Sequence, residues 1–181
     1  MIAELLNRAY DYPLAPAGGL FLAIVGLAIL LGAPLPRWRQ ALLIIGIVAA
    51  SVALITLTRR LTVGLPAPTL FAIGALVVAV ALEAVSFPFV VRRVWSQGPG
   101  AVMRAALALV GAHFLLMAPA FGPLVVVLGL ACMLNAAIAM MIKAMPDHVV
   151  WAVDGALKLS LGAMMLQGSP AVQQAISGAP A

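Results

Sequence analysis

The sequence predicts an all-α, polytopic membrane protein of six transmembrane helices, and three observations carry that reading. Six apolar stretches fill nearly the whole 181-residue chain. Each is close to the ~20 mostly apolar residues that cross ~30 Å of hydrocarbon. Hydrophobic residues make up 65% of the sequence and charged residues 8%, against ~25% charge in a soluble domain. The little charge present gathers between the apolar stretches, where it marks helix ends and orientation. A net charge of +5 placed in this way, with no basic stripe interleaved with aromatics, argues against nucleic acid. The predicted partner is the lipid bilayer.

Residues 1–16 mix Leu5, Leu6, Tyr10 and Tyr12 with Glu4, Asn7, Arg8 and Asp11, which suits a short interfacial helix ending before Pro13. The first span is Ala17–Leu35. Its run Leu20–Leu31 has the length of a signal-peptide core. However, Glu4 and Asp11 stand where a basic region belongs, and Gly32-Ala33-Pro34 is a poor cleavage site, so the helix is read as retained. The next spans are Gln40–Thr58, Ala67–Val91, Ala101–Ala118, Phe121–Lys143 and Val149–Gln167. Connections this short leave no room for a soluble domain, so residues 17–168 form one membrane domain. Residues 169–181, rich in Gly, Ser, Pro, Ala and Gln, read as a flexible tail.

Orientation follows from the cations. The first, third and fifth connections hold Arg37, Arg39, Arg92, Arg93, Arg104 and Lys143, while the other side holds Arg8, Arg59 and Arg60. The positive-inside bias places the richer side in the cytoplasm and both termini outside, as in a multi-pass protein of a bacterial inner membrane. Trp38, Trp95 and Trp151 fall near the same ends, as interfacial aromatics do.

The odd-numbered spans open alike, with Ala15-Pro16-Ala17, Ala67-Pro68-Thr69 and Ala118-Pro119-Ala120. Proline is at home in a first helical turn, where its missing N–H has no partner to lose. Gly19 with Gly26, and Gly122 with Gly129, are spaced to share a helix face and admit a close neighbour. The pattern suggests three tandem helical hairpins in a pseudo-threefold arrangement.

Few ionisable or strongly polar groups lie inside the spans, and charge there costs about 3 kcal/mol or more, so each needs a reason. They are Glu83, His113, Asn135, Asp154 and Lys158. Asp154 and Lys158, one turn apart, share a face and form an ion pair, read either as charge compensation or as one wall of a polar cavity. Glu83 has only neutral residues at helical neighbour positions (Ala79, Val80, Ser86 and Phe87), so it must find a partner elsewhere or stay protonated. Lys158, His113, Arg92 and Arg93 are the candidates. Pro88 frees the carbonyl of Ala84 beside it, as a plain kink or as a cation ligand. His113 reads as an interhelical hydrogen-bonding group or a proton shuttle, and Asn135 as polar glue. His148 belongs to a connection and reads as solvated.

No metal site or cofactor is predicted. Cys132 is alone and cannot form an internal disulfide, and Met140, Met141, Met164 and Met165 read as packing. There is no Walker motif, no Gly-x-Ser-x-Gly, no His-Glu-x-x-His and no Cys-x-x-Cys, so an enzyme is not expected.

The stretch from Leu109 to Ala118, with Gly111, His113 and Phe114, resembles a Val-Gly-x-His-Phe segment in the fourth span of a family of small six-span bacterial membrane proteins of unknown function. Leu116 replaces the proline expected there. The resemblance implies a compact inner-membrane protein and lends no activity. In architecture alone, the hairpin pattern is similar to the acid-resistance family of three-hairpin membrane proteins.

The predicted function is that of a small transporter or channel-like protein with a proton- or cation-handling centre made by Glu83, His113, Asn135, Asp154 and Lys158. The alternative is a structural or accessory subunit of a membrane complex, in which the same groups only lock helices together. So small a bundle also suits a homo-oligomer or a partner within a membrane complex.

Overall fold

A computed structural model describes residues 11–142 and 144–178; the interfacial helix expected over the first residues falls largely outside them. The helices are α1 (Ala15–Gly32), α2 (Arg39–Leu61), α3 (Leu70–Val94), α4 (Pro99–Leu116), the short α5 (Ala118–Phe121), α6 (Pro123–Met141), α7 (Asp147–Leu166) and α8 (Pro170–Ser177). A single 3-10 turn, Trp95–Gln97, follows α3. Six of the helices, α1 to α4, α6 and α7, are long and apolar enough to cross a membrane. The chain is an all-helical, multi-pass membrane protein, as its sequence predicts.

Local chemistry sets the ends. Proline opens α4 and α6, and Pro16 stands in the first turn of α1. α3 starts differently: the Thr69 hydroxyl accepts a hydrogen bond from the Ala72 amide at 3.1 Å, an N-cap that leaves Pro68 outside the helix. Arg39 donates from Nε to the Gly32 carbonyl (3.3 Å) and from Nη2 to the Ala33 carbonyl (2.8 Å). A cation thus closes the negative end of α1, a second role for a residue that also signals topology. Pro88 lies within α3 without ending it.

Two expectations change. The third Ala-Pro-x signature does not open the fifth span. It forms α5, and Gly122, at φ 82°, breaks the chain before Pro123 starts α6. Gly122 therefore shares no helix face with Gly129; it lies under the Tyr12 ring. The segment read as a flexible tail is helical from Pro170 to Ser177. Its anchor is Ser169, fully buried, whose hydroxyl donates to the Leu61 carbonyl at the end of α2 (2.7 Å).

Each successive pair of spans packs as a hairpin: α1 with α2, α3 with α4, and α6 with α7. The second helix of one hairpin packs on the first helix of the next at α4–α6, and again, closing from last to first, at α7–α1. The third contact of a threefold ring would be α2 along α3, and among the described residues these two do not pack along each other. The spans thus form a row, α2–α1–α7–α6–α4–α3, whose outer helices keep most of their surface for lipid.

Glycines make the inner seams tight. Apolar solvent supplies no hydrophobic force between helices, so van der Waals contact at short range must hold them. A Cβ on Gly26 would lie 2.8 Å from the Gly155 carbonyl oxygen, and one on Gly155 would lie 2.9 Å from that of Gly26. Gly19 and Gly162 face each other in the same way two turns along, at 2.6 and 2.7 Å. Gly111 and Gly129 repeat the device between α4 and α6, at 2.9 and 2.7 Å.

The bundle has two distinct ends. Arg104 on α4 pairs with Asp147 at the start of α7 (3.3 Å), and the Trp151 indole lies against Gly32 at the end of α1. The first, third and fifth connections therefore share one end, with Arg37, Arg39, Arg92, Arg93 and Arg104. The second and fourth connections, α8 and Tyr12 share the other, with Arg59 and Arg60.

Candidate functional site

The deepest charges lie on α7. Asp154 is fully buried, Lys158 is 4% exposed, and the ammonium is hydrogen-bonded to Oδ1 of the carboxylate one turn back. Gly155, next to Asp154, carries the close contact with α1, so the pair sits beside the α1–α7 seam. From α6, Cys132 brings its Sγ to 3.9 Å from Lys158 Nζ. From α4, the Phe114 ring lies under the ammonium, 5.8 Å from Nζ to the centroid, within cation–π range. Asp154 Oδ2 is buried with no hydrogen-bond partner among the described residues.

A second pair bridges two helices. His113 Nδ1, on α4, lies 3.0 Å from the Ala79 carbonyl and 3.3 Å from Glu83 Oε2, both on α3. A carbonyl only accepts, so Nδ1 carries the proton and shares it between the two oxygens. The imidazole is buried, whereas the Glu83 side chain is 30% exposed. Neither Arg92 nor Arg93 serves Glu83; both are exposed at the end of α3.

Asn135 stands apart from both pairs. Its Nδ2 donates to the Val150 carbonyl at 3.0 Å and so ties α6 to α7. The five polar residues singled out in the sequence thus occupy three places rather than one. The two ionic pairs are nevertheless neighbours, because Phe114 stands between them: its ring meets Lys158 on one side and lies 5.9 Å from the His113 ring on the other.

Sequence reasoning passed over three participants. Cys132 reads as filler and lies beside Lys158. Phe114 reads as part of a short motif and separates the pairs. Trp151 reads as an interfacial aromatic, yet its Nε1 is buried without a partner among the described residues. For the first two, no local signal exists, since only the packing of α4 and α6 on α7 brings them in. Gly155 and Gly162 did carry a signal, because they repeat the spacing of Gly19 and Gly26.

Chemically, the arrangement offers one buried carboxylate–ammonium pair with a bare acceptor oxygen, and one imidazole–carboxylate pair that reaches the bundle surface. Among the described residues no cluster of three or more His, Cys, Asp or Glu is placed to hold a metal ion. No curated protein and no solved structure matches the chain. A family model does, over residues 6–175. With nearly its whole length matched, the chain belongs to the DUF6609 family, a family of unknown function.

Proposed function

We propose that this protein is a small membrane transporter that handles protons, with the Asp154–Lys158 pair as its working centre. One observation carries the reading: the pair is buried, intrahelical and incompletely satisfied. Burying two charges costs several kcal/mol per ion, in the range of ~3–5 kcal/mol once a partner is removed. A structural brace would recover that cost by joining helices strongly, and among the described residues this pair's polar reach to a neighbouring helix is only the weak 3.9 Å contact of Lys158 Nζ with Cys132 Sγ. A proton-handling centre needs an ionisable group held away from bulk water with an acceptor left open, and Asp154 Oδ2 is such an acceptor among the described residues. Glu83 and His113 supply a second proton-binding pair at the bundle surface, across Phe114. The arginine-rich end is assigned to the cytoplasm by its excess of cations, with both termini on the other side.

The test uses protein reconstituted in vesicles with a trapped pH-sensitive dye under an imposed potassium diffusion potential. Proton flux above that of protein-free vesicles is expected, lost in Asp154→Asn/Lys158→Met and reduced in Glu83→Gln. Wild-type flux equal to that of empty vesicles would overturn the reading.

The accessory-subunit reading is favoured by a different observation. The Glu83–His113 and Asn135–Val150 contacts both tie neighbouring helices together, as polar glue does. It leaves Asp154 and Lys158 unexplained.

A further inference from the structure

Three buried side-chain polar atoms lack a hydrogen-bond partner among the described residues: Arg104 Nε, Trp151 Nε1 and Asp154 Oδ2. They are not scattered. Arg104 lies in the second turn of α4, and Trp151 and Asp154 lie in the first two turns of α7. Both helices start at the arginine-rich end, so all three atoms fall in that half of the bundle. Asp154 is about 10 Å from that end along α7 and about 18 Å from the other, at 1.5 Å per residue.

The orphans are also complementary. Two are donors and one is an acceptor. Trp151 and Asp154 are three residues apart on one helix, which makes them surface neighbours. A bare carboxylate oxygen in the interior costs about 1–3 kcal/mol or more, and a bare indole N–H costs on the same scale. The ordinary remedy is a buried water, which makes about three hydrogen bonds to such groups.

Both halves are packed with apolar side chains, but the orphaned atoms lie in only one of them. Towards the opposite end the core is Leu22, Phe114, Leu128 and Met165, with Lys158 and His113 against the Phe114 ring. Towards the arginine-rich end it is Leu107, Ala136, Ala139 and Val150, with Met103 and Met145 packed on them. Trp151 is only partly buried, and its indole nitrogen lies against Gly32 at the end of α1.

We propose that water reaches Asp154 from the arginine-rich end alone, by a path on which one water bridges Trp151 Nε1–H and Asp154 Oδ2. Trp151 is a positioning residue on that path. The Leu22–Phe114–Leu128–Met165 layer seals the pair from the opposite side. Only the identity of what moves along the path, a proton, rests on the transport reading above; the hydration stands without it.

The test is one of thiol access. Cys132 is the sole cysteine of the chain, so Cys132→Ala gives a thiol-free background. Into it go Asp154→Cys/Lys158→Met and, separately, Trp151→Cys, Leu128→Cys and Trp95→Cys. Silver ion, which reaches a thiol only through water, is added to sealed vesicles of each orientation. Reaction is read as protection from alkylation after denaturation. Protection at positions 154 and 151 is expected only with silver at the arginine-rich face. Position 128 should be protected from neither face, and exposed position 95 reports that the reagent arrived. Protection at 154 from the opposite face, or from neither face while 95 is protected, overturns the proposal. If the 154 variant does not fold, the result at 151 decides in the same way. Protection without proton flux in the dye assay sinks the transport reading and leaves the water path. Flux without protection does the reverse.

Discussion

Lys158 reaches back one turn along its own helix to Asp154, and the ion pair they make is buried with both charges on α7; its polar reach to another helix among the described residues is the weak Lys158–Cys132 contact to α6, at 3.9 Å. Glu83 and His113 do the opposite: their pair is partly exposed and bridges α3 to α4. The contrast separates a contact that holds the fold together from one whose cost the fold merely tolerates, and it leads to different expectations for each.

For the α7 pair, Asp154→Ala leaves an ammonium buried with no counter-charge. The expected cost is about 3–5 kcal/mol, the range found when one partner of a buried pair is removed. Asp154→Ala/Lys158→Met removes both charges and should recover nearly all of that loss, because apolar replacements of buried pairs are often neutral. Equilibrium unfolding in mixed micelles measures both. A double variant as unstable as the single one would show that the pair supports tertiary structure, contrary to its intrahelical geometry.

For the α3–α4 pair, a double-mutant cycle with Glu83→Ala and His113→Leu should give a coupling of about 0.5–2 kcal/mol, the range of interhelical hydrogen bonds in membranes. His113→Leu alone should cost more than Glu83→Ala, since it also leaves the Ala79 carbonyl without its donor. A coupling indistinguishable from zero would mean that the two side chains do not share the Nδ1 proton.

The glycine seams allow a sharper comparison. Gly26→Ala places a methyl 2.8 Å from the Gly155 carbonyl oxygen, so α1 and α7 must separate. Overpacking of this kind costs about 1–3 kcal/mol. Gly74, on the lipid-facing side of α3, has nothing within 4 Å of the position a Cβ would take. Gly74→Ala should therefore be neutral or gain up to about 1 kcal/mol of helix propensity. Thermal denaturation in one detergent orders the two variants against the wild type, and equal melting points would contradict the seam.

The spans were legible in the sequence because lipid imposes one dominant requirement, an unbroken apolar run of sufficient length. The start of α6 was not, because Ala118-Pro119-Ala120 and Gly122-Pro123 are equally plausible helix openings, and only the φ of Gly122 decides between them. The pairing of Asp154 with Lys158 followed from spacing on one helix. Partners on different helices did not follow, because a span's rotation and neighbours leave no mark in composition. Thus Glu83 had four candidate partners and takes His113, and Cys132, with no polar signal of its own, ends beside a buried ammonium. The threefold pattern was half visible: recurrent prolines suggested three hairpins, and the hairpins exist, but nothing in α2 or α3 showed that those two helices do not pack along each other.

The end of the chain provides a last expectation, where composition misled. Gly, Ser, Pro and Gln suggest a flexible segment, yet Ser169 is fully buried and spends its hydroxyl on the Leu61 carbonyl, a group left open at the end of α2. α8 begins at the next residue, and its Ser177–Gly178 end closes on glycine at φ 65°. The hydroxyl therefore docks two elements at once. Ser169→Ala removes a hydrogen bond worth about 1 kcal/mol net, which corresponds to about a fivefold rise in the local opening of α8. Hydrogen exchange across Pro170–Ser177 measures this directly, with exchange in α1 and α7 unchanged as the internal control. If exchange in α8 is already at the rate of an unstructured peptide in the wild type, Ser169 holds nothing in place, and the flexible reading of the tail returns.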